Sequence, residues 1–206
     1  MMNHRAYAFW VAIILSGLCG QSPAVAAGAT AREWFSEQGY VEPDGGRVIV
    51  CHGYGCTRRQ AVNIDGTVIQ RAATLLKSAR SAEAEREALS EIVREYTAQL
   101  ARELGGAPDR PGSPLQMAGQ YGQMDCLDET ANTTSLLVEL DTRGLLAHHH
   151  AARPESRGFF FDGRYPHFTA VIVEGKAGME WAVDPWRHAP GQRPDILPLS
   201  QWRQDS

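Results

Sequence analysis

Three residues have the types and the settings to do covalent chemistry together. Cys126 stands at the head of GQMDCLDETANT, His167 at the head of YPHFTAVIVE and Asp184 near the end of EWAVDPW. A thiol is a nucleophile in its thiolate form, and a position at a helix N-terminus favours that form through the backbone N–H groups and the helix dipole. An imidazole can take and return the thiol proton, and a carboxylate can fix the imidazole's tautomer and stabilise its charged form. The same set attacks a carbonyl to give a thioester, which water or an amine then resolves.

Each of the three has to be positioned by an element of its own. Residues 126–143 place apolar Leu127, Ala131, Leu136, Leu137 and Leu140 at helical spacings, with Gly144 suited to follow the helix end. His167–Glu174 and residues 179–184 read as two strands around Gly175-Lys176-Ala177-Gly178. If Gly175 pairs with Gly178, Thr169 lies opposite Asp184. His167 and Asp184 then become diagonal neighbours on one sheet face, against which the Cys126 helix is expected to pack. One residue more or fewer in the turn would send them to opposite faces.

The ordered stretches Cys126-Leu127-Asp128, His167-Phe168-Thr169-Ala170-Val171 and Trp181-Ala182-Val183-Asp184-Pro185 resemble the transglutaminase-like superfamily, most nearly its bacterial cysteine-proteinase branch. The likeness covers roughly residues 117–187. It implies an α+β fold of papain-like or transglutaminase-like type, with helices packed on one face of an antiparallel sheet and a Cys126, His167, Asp184 triad. It also implies a thiol enzyme that cleaves an amide or peptide bond. A transamidase and a catalytically inactive peptide-binding or protein-binding scaffold are the alternatives. The backbone N–H of Cys126 is a natural oxyanion donor. Gln120 is the side-chain candidate, at an offset similar to the papain-like pattern, with Tyr121 and Gln123 as others. Some relatives bind calcium, and Asp125, Asp128 and Glu129 could contribute to such a site. No full ligand set is visible, so no metal or cofactor is expected. Asp125 and Asp128 read instead as first-turn carboxylates.

The 206-residue chain is long enough to bury a core without staples. Arg5, the apolar run over residues 6–15 and the small residues Ala24-Val25-Ala26-Ala27 have the layout of a secretory signal peptide, with cleavage expected after Ala26. Residues 1–26 are then the signal and 27–206 a single domain, periplasmic or secreted, with no stable membrane span after cleavage. A lipid-modified Cys19 is the rival reading, but Leu18 is large for such a site. Cleavage removes Arg5 and no acidic residue, taking the formal net charge from −4 to −5, which argues against nucleic acid as a partner; a peptide or protein substrate is what the resemblance implies.

Export decides how the cysteines read. Without Cys19, the odd set Cys51, Cys56 and Cys126 leaves one thiol over in an oxidising compartment. Cys51-His52-Gly53-Tyr54-Gly55-Cys56 can bend between its cysteines, and a local disulfide there leaves Cys126 free. A metal site built on Cys51, His52 and Cys56 would need another ligand, and a redox-active pair is the third possibility.

Arg47–His52 reads as a strand, residues 66–78 as a helix capped by Asp65, and the run after Ser81 as a long amphipathic helix closed by Gly105-Gly106, with Glu and Arg on its outer face. Thr30 has capping-box spacing for a short helix ending at Gly39. Residues 159–161 read as a strand. Residues 107–122, rich in Pro and Gly, form a long connection that either shapes the mouth of the site or plays no part in it. Residues 148–150, three consecutive histidines, read as a solvated loop or strand edge.

Overall fold

A computed structural model describes residues 23–158 and 166–205. The segment before residue 23, which holds most of the signal-type stretch, and the strand expected at residues 159–161 lie outside them. Helix α1 (Pro23–Gln38) leads to the antiparallel pair β1 (Arg47–His52) and β2 (Arg58–Asn63), then to α2 (Gly66–Ser78) and α3 (Ala82–Leu104). After the long connection come α4 (Cys126–Thr142), β3 (His149–Arg157), β4 (His167–Glu174), β5 (Glu180–Asp184), β6 (Asp195–Pro198) and the short α5 (Leu199–Trp202). Strands β3 to β6 form a four-stranded antiparallel sheet in sequence order. The architecture is α+β with two antiparallel sheets.

Local chemistry explains most boundaries. Asp65 accepts from the Thr67 N–H at 2.9 Å and Ser81 from the Ala84 N–H at 3.1 Å, starting α2 and α3 where orphan helix donors need acceptors. Gly39 takes the left-handed conformation (φ 65°) and lets Tyr40 N–H bond back to the Phe35 carbonyl, closing α1. Thr30 does not start that helix. It lies inside α1, which opens at Pro23, a residue suited to a first helical turn.

Helix α4 is the central element. It packs on β4, β3 and β1, and its buried residues run from Asp128 without interruption to Leu140. Ala131, Leu136, Leu137 and Leu140 join Ala151, Ala170, Ile172 and Val183 of the sheet in the main core. The other sheet face is also covered: Ala152, Val171 and Ala182 pack with Leu199 and Trp202 of α5 in a smaller cluster. Helices therefore lie on both faces, not on one. The cause is Trp202, whose large apolar ring is buried as α5 folds back on β5 and β6.

Strand β3 corrects the reading of the three histidines. His149 is fully buried, with Nδ1 at 2.9 Å from the Glu85 carboxylate of α3. Arg86 lies 3.2 Å from Nε2. Because arginine only donates, that nitrogen accepts and Nδ1 carries the proton toward Glu85. Glu85 also takes the N–H groups of Ala147, His148 and His149, so a carboxylate read as outward-facing is a buried anchor between helix and sheet. Among the described residues, no helix is long and apolar enough to cross a membrane.

Candidate active site

The β4–β5 register is the one the Gly175–Gly178 pairing requires. Ala170 pairs with Val183 and Val171 with Ala182, which sets Thr169 against Asp184 at the strand ends. His167 and Asp184 consequently face the same way, and His167 Nε2 lies 2.6 Å from Asp184 Oδ2. The same oxygen accepts the Trp202 indole N–H at 2.7 Å, while Oδ1 accepts the Trp186 backbone N–H at 3.1 Å. Burial pushes the Asp184 carboxyl up, but the hydrogen bond and charge of His167, with the Trp202 and Trp186 donors, more than offset it and hold the group below its ordinary value.

Aromatic rings fix the imidazole on two sides. Trp186 lies 4.3 Å and Trp202 5.4 Å from the His167 ring, centroid to centroid. Trp186 is in turn held by its indole N–H, which donates to Ser113 Oγ at 2.6 Å. Trp202 is held by Arg157, whose guanidinium stacks over its ring at 4.5 Å and donates to its carbonyl. With Nε2 committed to Asp184, Nδ1 is the remaining ring nitrogen. It is buried and has no hydrogen-bond partner among the described residues.

Cys126 is the first residue of α4, and Asp125 is its cap. Asp125 accepts from the Asp128 N–H at 2.9 Å and Asp128 returns the bond to the Asp125 N–H at 3.3 Å, so both act as the first-turn carboxylates expected of them. The thiol lies against the backbone on either side of His167. Sγ is 4.0 Å from the Pro166 carbonyl oxygen and accepts a bond from the Phe168 N–H. The structure gives no direct hydrogen bond between Sγ and the imidazole. The reason is topological: α4 packs on the face of Ala170 and Ile172, whereas His167 and Asp184 look toward α5, so the thiol meets β4 at the backbone of its first turn of strand. The expectation that α4 packs on the face of the histidine is corrected accordingly.

The electrostatics also depart from those of a bare helix start. Burial pushes the Cys126 thiol up to about 12; the Phe168 N–H opposes this, and the charges of Asp125, Glu129 and Asp184 add to it. Carboxyl groups crowd the helix entrance. Burial raises Asp109 to about 6, against the pull of the Met124 N–H that it accepts at 2.6 Å. Burial, then the neighbouring Asp125 charge, raises Asp128 to about 7. Glu129 is raised well above its ordinary value, first by burial and then by Asp109, Asp184, Asp128 and Asp125. Its Oε2 and the Tyr96 hydroxyl have no partner among the described residues, and both residues line a cavity of about 30 Å³ under the helix start.

Of the oxyanion candidates, the Cys126 N–H is at the first helical position, where no intrahelical acceptor exists. The side chains point to other work. Gln120 is exposed and donates to the Gln116 carbonyl at 2.8 Å, within its own turn. Gln123 is buried and braces residues 107–110, donating to the Pro108 carbonyl at 3.0 Å and accepting from the Arg110 N–H at 3.1 Å. Tyr121 bonds Gln60. The 107–122 connection is tied down at several points: Gly112 N–H donates to the Trp186 carbonyl at 2.8 Å, and Tyr54 Oη to the Pro114 carbonyl at 2.9 Å.

Cys51 and Cys56 form a disulfide, and Cys126 is the free cysteine among the described residues. The two bridge sulfurs lie with an Asp128 oxygen within 4.8 Å of one another, the one grouping of cation-ligand atoms found among the described residues. Its sulfurs are spent on the bridge. His52 is not part of it; His52 Nδ1 accepts the Gly122 N–H at 3.3 Å. Sequence reasoning missed Trp202, Trp186 and Ser113 as supports of the imidazole, and Asp109 and Glu129 as buried acids. The Trp directly after Asp184-Pro185 was the visible signal for the second of these. Compared with family models, with curated proteins and with solved structures, the chain matches none.

Proposed function

We propose that this chain is an exported thiol enzyme of transglutaminase-like, papain-like type, in which Cys126 is the nucleophile, His167 the base and Asp184 the orienting carboxylate. The observation that carries the reading is the 2.6 Å contact between His167 Nε2 and Asp184 Oδ2, made beside the backbone of Pro166 and Phe168 against which the Cys126 thiol lies. An imidazole held in this way keeps Nδ1 as its proton acceptor.

In this reading the resting thiol is neutral, as its burial favours. Sγ attacks a substrate carbonyl while its proton passes to His167 Nδ1, and Asp184 stabilises the imidazolium. The Cys126 N–H meets the developing oxyanion. The amine leaves with the proton from His167, and water resolves the thioester, giving an amide or peptide hydrolase. An amine in place of water would give a transamidase. The signal-type segment at residues 1–26, the single domain assigned to 27–206 and the Cys51–Cys56 bridge fit a periplasmic or secreted setting, with a peptide or protein as substrate.

The test is an electrophilic thiol probe together with a panel of peptide amides, applied to the mature protein. Cys126→Ser and His167→Ala should each abolish turnover, and Asp184→Asn should reduce it by at least about a hundredfold. Turnover that survives Cys126→Ser would overturn the reading. Absence of both labelling and turnover in the wild type would leave the binding scaffold as the better account.

A further inference from the structure

We propose that the disulfide-closed clasp at residues 51–56 is a positioning element for Cys126, so that opening the bridge releases the start of α4 while the rest of the fold stays in place. The inference rests on the proposed role of Cys126 as nucleophile, and it goes beyond that role by making the thiol's setting depend on a second pair of cysteines.

The geometry is unusual in its density. Gly53, Tyr54, Gly55 and Cys56 take consecutive positive φ angles of 83°, 68°, 61° and 56°. Glycine accepts this at no steric cost, but Tyr54 and Cys56 do not, so the segment needs an outside tie to hold its shape. The bridge supplies the tie, with the two Cα atoms 4.6 Å apart. In that shape three successive N–H groups are spent on two neighbouring carboxylates, as in an anion-binding nest. Tyr54 donates to Asp128 Oδ2 at 2.8 Å, Gly55 to Asp125 Oδ2 at 2.9 Å and Cys56 to Asp128 Oδ1 at 2.6 Å. The acceptors are the cap and third residue of α4, the two residues that flank Cys126 in the capping box.

A second contact fixes the other side of the clasp. Cys51 N–H donates to Asn132 Oδ1 at 2.8 Å, and Asn132 Nδ2 donates to the Cys51 carbonyl at 2.9 Å, so α4 grips β1 one turn beyond the carboxylates. Gly53 N–H donates to the Gln123 carbonyl at 2.6 Å, and Gly119 N–H to the Gly53 carbonyl at 3.2 Å, tying in the chain that enters the helix. The clasp thus holds residues on both sides of Cys126, through Gln123 and Asp125 before it and Asp128 and Asn132 after it.

Opening the bridge takes two electrons and two protons. A dithiol provides both: it leaves Cys51 and Cys56 as thiols and becomes a disulfide itself. The left-handed positions then relax, the nest opens, and the carboxylates of Asp125 and Asp128 lose their main donors.

The test compares three states of the mature chain: oxidised, reduced with dithiothreitol, and Cys51→Ser/Cys56→Ser. Amide exchange over residues 124–130 should accelerate at least about tenfold in the last two states, while residues 170–172 of β4 keep their protection. Alkylation of Cys126 at pH 8 should rise in parallel, its pH profile should move to lower pH, and reoxidation should reverse both. Where the serine variant does not fold, the reduced wild type carries the same comparison. Unchanged exchange at 124–130, or equal loss of protection in β4, overturns the proposal. Failure of the catalytic reading shows separately, as absence of turnover in the oxidised protein.

Discussion

Asp184 Oδ2 receives two side-chain donors at once, His167 Nε2 at 2.6 Å and Trp202 Nε1 at 2.7 Å, so the orientation of the histidine and the docking of the C-terminal helix are fixed by one oxygen. Trp202→Phe keeps most of the buried ring and removes the donor. Loss of a hydrogen bond to a buried carboxylate should cost about 1.5–3 kcal/mol in urea unfolding. The Asp184 carboxyl should rise toward its ordinary value, and the imidazole proton resonance of His167 should shift. A variant with unchanged stability and an unmoved His167 signal would show that the indole is packing alone.

Burial, and after it the acidic groups around the thiol, set the reactivity of Cys126 in the free protein. The thiolate is the reacting form, and burial, followed by Asp125, Glu129 and Asp184, pushes the thiol up to about 12. A free cysteine has a pKa of ~8.5, so at pH 8 the native thiol should alkylate at least about tenfold more slowly than in urea-unfolded chain. The native rate should climb steadily from pH 7 to 10. A plateau of fast alkylation at mildly acidic pH would instead reveal a standing thiolate–imidazolium pair, the outcome that the helix-start position alone suggests.

Those two results mark where the sequence was legible and where it was not. Elements with a strong period or clear punctuation could be read: β1 from its apolar run, α2 and α3 from Asp65 and Ser81, and the β4–β5 register from the glycines at 175 and 178. Strand β2, Arg58–Asn63, could not, because five of its six residues are polar or partly exposed and only Val62 is buried. Strand β3 is interrupted by a register shift between Ala152 and Glu155, and its histidine is buried through a partner 64 residues away. Pairings of that kind leave no periodic trace. The same holds for Trp202, whose role comes from a hydrogen bond to a strand it follows at a distance, and for Gln120, whose offset from Cys126 says nothing about the turn in which its amide is spent.

Glu85 offers a test of the anchor that the sequence concealed. It is fully buried, and although burial pushes it up, the His149 ring and the N–H groups of Ala147, His148 and His149 hold it below its ordinary value. Glu85→Ala leaves those donors without an acceptor and should cost about 3 kcal/mol or more in urea unfolding, with faster amide exchange at residues 147–149. Glu85→Gln keeps one acceptor but turns an amide N–H toward the backbone donors, so it should fall short of rescue. A loss below about 1 kcal/mol for both would mean that the network only fills space.

Asp109 predicts a dependence of stability on pH. Its carboxyl accepts the Met124 N–H two residues before Cys126, yet burial raises it from an ordinary 3.8 to about 6. A carboxyl that holds its proton more tightly in the folded state contributes stability below its unfolded value and loses it as pH rises through the folded value. Between pH 4 and 6 the unfolded chain has given up this proton and the folded chain has not, so stability should fall across that window. Asp109→Asn retains the oxygen for Met124 and cannot ionise. Wild type and variant should therefore match near pH 4, and by pH 8 the variant should be the more stable by up to ~3 kcal/mol. Asp128, raised to about 7, and Asp184, lowered, titrate in both proteins and cancel from the difference, whereas Glu129, which the Asp109 charge helps to raise, ionises more easily in the variant and adds to the difference in the same direction. Urea unfolding of the pair at several pH values measures it directly, and parallel curves would show that Asp109 is not held protonated beside the helix start.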